Sequence, residues 1–287
     1  MSVMQRALEK AEREGRLPSW TRSADADTRR AVSVDVLPTR AKPGPVSPAF
    51  EIPVAETDAM ATPASPLLVA VTTSESPAAN QFRLLRSRLE ARSRGRGIQL
   101  ILVTSPRVGD GKTTTSANLA LTMAQDVQHT VVLLEADLRR PRLAALFGIR
   151  GEPGLIDVLT GGAAVEEALV RVPGQHLVVL PAGLASARSG EVLASSMLRH
   201  VVDGLRARFT RIIVDSPPLA VADTHELARV ADGLLLVARA GVTPRPALER
   251  ALAALEREKV MGFVLNEVDE VTDHYAYPDA ERATAEG

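Results

Sequence analysis

Six short runs of apolar residues recur along the chain, and more polar segments separate them. Runs such as VVLLEA and RIIVD are rich in valine, leucine and isoleucine and do not alternate strictly with polar residues. Continuous apolar runs of this kind are typical of strands whose two faces are both covered by helices. The pattern predicts an α/β fold in which a doubly wound, mostly parallel sheet has helices on both faces. The predicted strands are residues 98–104, 130–135, 176–181, 211–215, 233–239 and 260–266.

A helix is predicted before the first of these strands, because Ser76 and Pro77 form a typical helix start. Its arginines indicate either a solvated basic face or a subunit contact. The preceding residues 67–71 are mostly apolar and predict a short strand or an extended segment. Apolar residues at helical spacing occur between the strands. They predict helices at 112–126, 189–207, 223–231 and 245–258, with two shorter helices flanking Gly161-Gly162.

The two ends of the chain differ in composition from the α/β region, which we place at residues 67–269. Residues 1–15 predict a helix with a thin apolar stripe, which either docks on a partner or frays. Residues 16–66 are rich in proline, alanine, serine and threonine without a lasting period, and they predict a flexible linker. Residues 270–287 are polar and predict a mobile tail.

The composition of the chain excludes several classes of site and partner. The 287 residues include no cysteine, which excludes disulfides, thiolate zinc sites and cysteine nucleophiles. A formal net charge of −1 gives no general attraction for polyanions, so we expect no nucleic-acid partner. No apolar run approaches the roughly 18 to 20 residues that cross a bilayer, and the charged N-terminus has no signal-peptide core. We therefore expect a cytoplasmic protein.

The strongest motif follows the first predicted strand, where SPRVGDGKTTT leads into a helix. Glycines let the backbone turn so that its N–H groups wrap an anion, and the helix adds the positive end of its dipole. The lysine supplies a charge for the terminal phosphates, and the hydroxyl after it suits Mg²⁺. The motif predicts a phosphate-binding loop, although Pro106 stands where the strict pattern has glycine. The predicted nucleotide contacts here are Val108, Gly109, Asp110, Gly111, Lys112, Thr113 and Thr114.

Acidic residues follow two other predicted strands. The strand in VVLLEADLRRP ends at Glu135 and places Asp137 just beyond it, and the strand in RIIVDSPP ends at Asp215. Ligands of doubly wound sheets bind outside the carboxyl ends of the strands, so these carboxylates are expected beside the phosphate-binding loop. We predict that Thr113 and the two aspartates hold Mg²⁺. Arg139 or its neighbour Arg140 is suited to steady phosphate charge.

These three motifs together resemble the Walker A, A′ and B motifs of the bacterial tyrosine autokinases, a family within the Min/Par-type P-loop ATPases. The resemblance covers about residues 79–269. It implies a P-loop NTPase-like domain that binds ATP and Mg²⁺ and transfers phosphate to tyrosine. In the family, an acid at the Glu135 position orients or deprotonates the tyrosine hydroxyl, and Asn266 is implied to contact adenine. The implied catalytic residues are Lys112, Glu135, Asp137 and Asp215.

Both tyrosines of the chain, Tyr275 and Tyr277, lie in the predicted tail. The family has a C-terminal tyrosine cluster that is phosphorylated between subunits, so the resemblance implies that these two residues accept phosphate. It also implies a role in regulating the chain length or export of capsule or exopolysaccharide. With no membrane span predicted, the activator would be a separate membrane polysaccharide co-polymerase, which recruits the kinase to the inner face of the cell membrane.

The sequence departs from the family pattern at three positions. Glu135 stands where the family has aspartate, and Arg107 occupies the signature lysine position of the Min/Par group. The family's oligomerisation motif has a glutamate where this chain has Asn80, but both of its arginines are present. We predict homo-oligomer contacts at these arginines, Arg83 and Arg86.

Two functions are consistent with these features. The first is an ATP-dependent protein tyrosine autokinase, which the paired tyrosines favour. The second is a nucleotide-gated interaction module, either a Min/Par-like ATPase or a weakly catalytic kinase relative, which Glu135 and Asn80 favour. Two histidines, His225 and His274, have no metal-ligating partners at useful spacing and are expected at the surface.

Overall fold

The computed structural model describes residues 65–185, 189–194 and 196–268, which include a seven-stranded sheet. The strands lie in the order β3-β4-β2-β5-β1-β6-β7, and all neighbouring pairs are parallel except β3 and β4. The strands are β1 (Leu100–Thr104), β2 (Val131–Glu135), β3 (Val170–Arg171), β4 (Leu177–Leu180), β5 (Arg211–Asp215), β6 (Gly233–Arg239) and β7 (Val260–Asn266).

Ten α-helices are present in the described part of the chain. They are α1 (Val69–Thr72), α2 (Pro77–Ser93), α3 (Lys112–Ala124), α4 (Leu143–Phe147), α5 (Leu155–Leu159), α6 (Val165–Ala168), α7 (Ser189–Leu193), α8 (Ser196–Arg208), α9 (Ala222–Val230) and α10 (Arg245–Ala253). A 3₁₀ turn at Arg257–Lys259 leads into β7.

Apolar side chains cover both faces of the sheet, which confirms the predicted doubly wound architecture. Within β1, Leu100 and Leu102 belong to one buried cluster, whereas Ile101 and Val103 belong to the other. Successive side chains of a strand point to opposite faces, so each continuous apolar run supplies both clusters. All six predicted strands are present, and among the described residues only the two-residue β3 was not predicted.

The parallel register brings the ends of three central strands together. Strand β5 lies between β1 and β2, and Asp215 is paired with Val103 on one side and with Glu135 on the other. The carboxyl ends of β1, β2 and β5 therefore meet at one edge of the sheet. This is the edge at which doubly wound folds bind their ligands.

The segment at residues 67–71 differs from its prediction, because Val69–Thr72 is a short helix and no strand forms there. The buried side chain of Asn118, on α3, explains this difference. Its amide donates to Leu67 O (2.8 Å) and accepts from Ala70 N (3.0 Å). The backbone polar groups of the segment are thus satisfied by a side chain on α3, so they need no neighbouring strand.

Several predicted helix boundaries are confirmed or corrected by the structure. The start at Ser76 and Pro77 is confirmed, because the Ser76 hydroxyl accepts the N–H of Ala79 at 3.2 Å. The single helix predicted at 189–207 is in fact two helices, α7 and α8. The helix predicted at 245–258 ends earlier, at Ala253.

The predicted helix at 1–15, nearly all of the predicted linker at 16–66 and the predicted tail at 270–287 lie outside the described residues. The domain boundaries drawn from them stay predictions. Within the ranges that the structure describes, none of the helices has both the length and the apolar character needed to cross a bilayer.

Candidate active site

The phosphate-binding loop links the end of β1 to the start of α3, as predicted. Gly109 and Gly111 have φ angles of +89° and +93°, in the left-handed region that glycine adopts without strain. Helix α3 begins at Lys112, immediately after Gly111. The loop therefore presents backbone N–H groups and a helix N-terminus at the ligand edge of the sheet.

Neighbouring loops brace the phosphate-binding loop from the side of β6 and β7. The buried Asp110 carboxylate accepts the Arg107 N–H at 2.9 Å and the Thr243 hydroxyl at 2.7 Å. Asn266, at the end of β7, donates its amide to Asp110 O at 3.2 Å. Two predicted nucleotide contacts, the Asp110 side chain and Asn266, are thus engaged in holding the loop. The predicted contact between Asn266 and adenine stays a prediction.

Thr243 was missed by the sequence analysis. Its hydroxyl also accepts the Arg239 N–H at 2.8 Å, so it joins the end of β6 to the loop. The available signal was a hydroxyl residue shortly after a buried strand, at the edge where ligands bind. That signal is weak because threonine is also common in ordinary turns.

Lys112 and the two predicted metal-binding aspartates converge beside the loop. Lys112 Nζ lies 3.3 Å from Asp137 Oδ2, and both side chains are 9% exposed. The buried carboxylate of Asp215 lies close to the Thr113 hydroxyl, but neither of its oxygens has a hydrogen-bond partner within the described part of the chain. Burial raises the pKa of Asp215 to about 7, although Lys112 and Thr113 oppose this rise.

This group of side chains fits a hard divalent cation. An unpartnered buried carboxylate is costly unless a cation or a hydrogen bond compensates it. The hydroxyl of Thr113 and the carboxylates of Asp137 and Asp215 are the oxygen ligands that Mg²⁺ prefers. The orphaned oxygens of Asp215 therefore agree with the metal role predicted for these three residues.

Glu135 is the last residue of β2, and its carboxylate accepts hydrogen bonds from backbone N–H groups. Its 1% exposed carboxylate accepts N–H groups from Arg142, from Leu143 at 2.7 Å and from Ala182 at 3.1 Å. Burial raises the pKa of Glu135, and these hydrogen bonds act in the opposite direction. The role of Glu135 at a tyrosine hydroxyl stays a prediction.

Arg139 was predicted to steady phosphate charge and lies against Asp223, a residue the sequence analysis did not single out. The Arg139 Nε atom is 3.3 Å from Asp223 Oδ2. The Asp223 side chain is 3% exposed and belongs to the first turn of α9, whereas the Arg139 side chain is 49% exposed. The guanidinium is thereby held at the same edge as the phosphate-binding loop. Arg140 is exposed in the same segment.

The two arginines predicted to contact another subunit have partners within this chain. Arg83 donates to Ser74 O at 2.7 Å and to the side chain of Asn80. Arg86 donates to Thr122 O at 2.9 Å, in the last turn of α3. Self-association through these residues stays a prediction.

Other predicted residues take no part in the described site. His225 is half-buried on α9, and within the ranges described it belongs to no group of three potential metal ligands. Tyr275, Tyr277 and His274 lie outside the described residues.

Comparisons with known proteins are consistent with this geometry. The family model described as the CobQ/CobB/MinD/ParA nucleotide binding domain matches residues 101–283. Tyrosine-protein kinase YwqD of Bacillus subtilis is 34% identical over 202 residues, which are 69% of this chain and 85% of that protein. The putative tyrosine-protein kinase EpsB of Ralstonia solanacearum is 34% identical over 215 residues. These residues are 73% of this chain but only 28% of that protein.

A solved structure shows the same architecture. The kinase domain of the Escherichia coli tyrosine kinase ETK superposes with a TM-score of 0.69 at 27% identity. The match covers 76% of this chain and 86% of that domain.

Proposed function

The chain belongs to the CobQ/CobB/MinD/ParA nucleotide-binding family and, within it, to the bacterial tyrosine kinases, and from this membership we propose that it is an ATP-dependent protein tyrosine autokinase. Its class of enzyme follows from its family. The observation that carries the proposal is the Asp215 carboxylate, which is buried and unpartnered among the described residues, beside the Lys112–Asp137 pair.

The proposed chemistry is in-line transfer of the γ-phosphate, in which the protein positions groups and neutralises charge. The backbone N–H groups of residues 108–113 would hold the β-phosphate, and Lys112 would leave Asp137 to bridge the β- and γ-phosphates. Thr113, Asp137 and Asp215 would hold Mg²⁺, which when bound neutralises phosphate charge. Arg139, kept at this edge by Asp223, would steady the transferred group.

The proposed acceptors are the tail tyrosines, Tyr275 and Tyr277. The described chain ends close to the site, because Asn266 contacts Asp110 and Val268 follows two residues later. A free tyrosine has a pKa near 10, so its hydroxyl needs a positioned carboxylate or the metal to assist proton removal. By family resemblance, phosphate would pass between subunits of a homo-oligomer that involves Arg83 and Arg86.

The biological setting is also part of the proposal. YwqD and EpsB are named as tyrosine kinases, and the resemblance places such kinases in capsule or exopolysaccharide assembly. We propose that the chain regulates polysaccharide chain length or export. Its activator would be a separate membrane polysaccharide co-polymerase, which recruits the protein from the cytoplasm to the inner face of the cell membrane.

A second function, a nucleotide-gated interaction module, is favoured by one observation. The resemblance gives Glu135 the task of orienting the acceptor hydroxyl, yet both of its carboxylate oxygens accept backbone N–H groups. A chain that binds ATP without transferring phosphate would signal through the shape of its nucleotide-bound state.

Phosphate mapping separates these two functions. Purified protein is incubated with Mg·ATP, with and without the cytoplasmic segments of candidate activators, and phosphopeptides are identified by mass spectrometry. The kinase proposal expects phosphate on Tyr275 or Tyr277, and none in Lys112→Met or in the double variant Tyr275→Phe/Tyr277→Phe. ATP turnover or ATP-dependent self-association with unmodified tyrosines would instead identify the interaction module.

A further inference from the structure

The contacts of Glu135 give this residue a task other than acting on the acceptor hydroxyl. We infer that Glu135 is a positioning residue that fastens the loop after β2 to the loop after β4 and thereby fixes Asp137 beside Lys112. The inference rests on the proposed function, because it concerns how this chain holds its Mg·ATP site.

Both oxygens of the Glu135 carboxylate are used. Oε1 accepts the N–H groups of Arg142 and Leu143, and Oε2 accepts the N–H of Ala182. Three of the roughly four acceptor positions of the carboxylate are thus filled, and the side chain is 1% exposed, so little of it is accessible to an acceptor hydroxyl. A residue that must exchange a proton with an incoming group needs a free oxygen within hydrogen-bond reach.

The first pair of contacts caps the start of helix α4. The N–H groups at the beginning of a helix have no partner within the helix, and a carboxylate is a favourable acceptor for them. Glu135 therefore closes the chain on itself between residues 135 and 142. Asp137 lies within this closed segment, and the next residue after Glu135, Ala136, donates to Asp215 O at 2.8 Å. The segment is thus held at both of its ends.

The third contact brings in the loop after β4. Ala182 is flanked by backbone contacts to helix α5, because Leu155 donates to Pro181 O at 2.7 Å and Ile156 donates to Ala182 O at 3.0 Å. Packing there is tight, since a Cβ at Gly154 would lie 2.1 Å from Gly183 N. The loop therefore offers a rigid anchor, and Glu135 ties the Asp137 segment to it.

The length of the side chain accounts for glutamate at this position. An aspartate carboxylate would lie about 1.5 Å nearer its own backbone, and a displacement of this order is enough to break a hydrogen bond. One carboxylate set back in this way does not reach both loops at once. The extra methylene of Glu135 thus serves the bridge between them.

Binding of Mg·ATP tests the inference without requiring phosphate transfer. We expect Glu135→Asp, which restores the acid of the family, to weaken Mg·ATP binding by about tenfold, because Asp137 loses its fixed position. Nucleotide binding without Mg²⁺ should stay unchanged, since the phosphate-binding loop is untouched. Hydrogen exchange should rise at residues 137–147 and 182–184. Glu249→Asp, on the exposed face of α10, is the matched control and should change none of these quantities.

Two further readouts distinguish positioning from a direct role at the hydroxyl. If the kinase is active, the positioning role predicts that Glu135→Asp raises KM for Mg·ATP and leaves the pH midpoint of the transfer rate unchanged. The inference is overturned if Glu135→Asp binds Mg·ATP with wild-type affinity and exchange protection, or if Glu135→Gln abolishes transfer while both of these are retained. A protein that transfers no phosphate would defeat the proposed function, but the binding and exchange measurements would still test Glu135.

Discussion

The buried Asp215 carboxylate leads to opposite predictions for the nucleotide-free protein and for the protein with Mg·ATP bound. Its buried carboxylate has no hydrogen-bond partner among the residues described, and such a group costs about 1–3 kcal/mol. We predict that Asp215→Asn raises the free energy of unfolding without nucleotide by about 1–3 kcal/mol and abolishes the stabilisation by Mg·ATP. Thermal melts with and without Mg·ATP measure both effects. An Asp215→Asn variant that is less stable alone, or still stabilised by Mg·ATP, would contradict this account of the site.

The same carboxylate predicts a pH dependence. The pKa of Asp215 is about 7 in the folded protein, against 3.8 for an ordinary aspartate. Between these values the folded state holds a proton that the unfolded state has lost, so this group's contribution to stability falls as pH rises. We expect the stability gained through Asp215→Asn to grow from pH 4 to pH 7 and then level off. Paired denaturant titrations of both proteins across this range check the trend, and a constant difference would contradict it.

The affinity for Mg·ATP should also depend on the ionisation of Asp215, but it should rise with pH where the contribution to stability falls. In the proposed metal role Asp215 must be ionised, so we predict that the Mg·ATP affinity of the wild-type protein rises as pH increases towards about 7. Calorimetry at several pH values, with Mg²⁺-free nucleotide as the control, measures the effect. Affinity that is flat between pH 5.5 and 8 would show that Asp215 does not titrate in this way.

At the scale of elements, the contact between the phosphate-binding loop and β7 leaves no room for a larger residue at Gly111. A Cβ at Gly111 would lie 1.9 Å from Asn266 Nδ2, and the φ of +93° is also unfavourable for other residues. We predict that Gly111→Ala lowers the free energy of unfolding by about 1–3 kcal/mol and weakens ATP binding, as measured by denaturant unfolding and by calorimetry.

A second substitution separates the two causes of this effect. Adding Asn266→Ala to Gly111→Ala removes the clash but leaves the backbone strain, so it should restore part of the stability. Gly97→Ala is the matched control, because its φ is +64° and no atom would lie within 4 Å of the new Cβ. If Gly97→Ala is as damaging as Gly111→Ala, strain alone is the cause.

The short helix α1 depends on one side chain of α3. Asn118 is fully buried and donates to Leu67 O and Thr114 O while accepting from Ala70 N. We predict that Asn118→Ala lowers the free energy of unfolding by about 1–3 kcal/mol and raises hydrogen exchange at residues 67–73. Gln81→Ala, at an exposed position on α2, serves as the control. Unchanged exchange at α1 would show that other contacts hold it.

The elements predicted well are those whose signal is local. Strands β5 and β6 have their predicted bounds because a buried parallel strand needs a continuous apolar run, and the run itself is visible in the sequence. Residues 67–71 were predicted wrongly because their conformation depends on Asn118, which is about 50 residues away in the chain. No local pattern records such a contact.

At the scale of the whole molecule, the predicted assembly can be tested against the contacts inside the chain. Arg83 and Arg86 each hold backbone carbonyls of their own chain. We predict that Arg83→Ala removes self-association, measured by sedimentation velocity, with little change in the melting temperature of the monomer. Arg88→Ala, exposed on the same helix, should change neither quantity. If the protein still self-associates after both Arg83 and Arg86 are replaced by alanine, the subunit contact lies elsewhere.

The site as a whole was partly predictable, for a topological reason. Parallel strands bring their carboxyl ends to one edge, so Lys112, Asp137 and Asp215 could be placed together from their positions after strands. Contacts between loops could not be predicted in this way, because the periodicity of apolar residues does not determine the conformation of a loop. The hydrogen bonds between Thr243 and Asp110 and between Ala182 and Glu135 are contacts of this kind. They engage the carboxylates of Asp110 and Glu135 within the protein.

The insertion of β5 between β1 and β2 has a consequence for biosynthesis. The phosphate-binding loop emerges from the ribosome roughly 100 residues before Asp215, which corresponds to about 5–20 s of translation. During that interval the two earlier strands cannot take their final places, because the strand that separates them has not been made. A nascent chain therefore carries a phosphate-binding loop without Asp215 beside it, and under the proposed metal role it would become competent for Mg·ATP only after the sheet closes around β5.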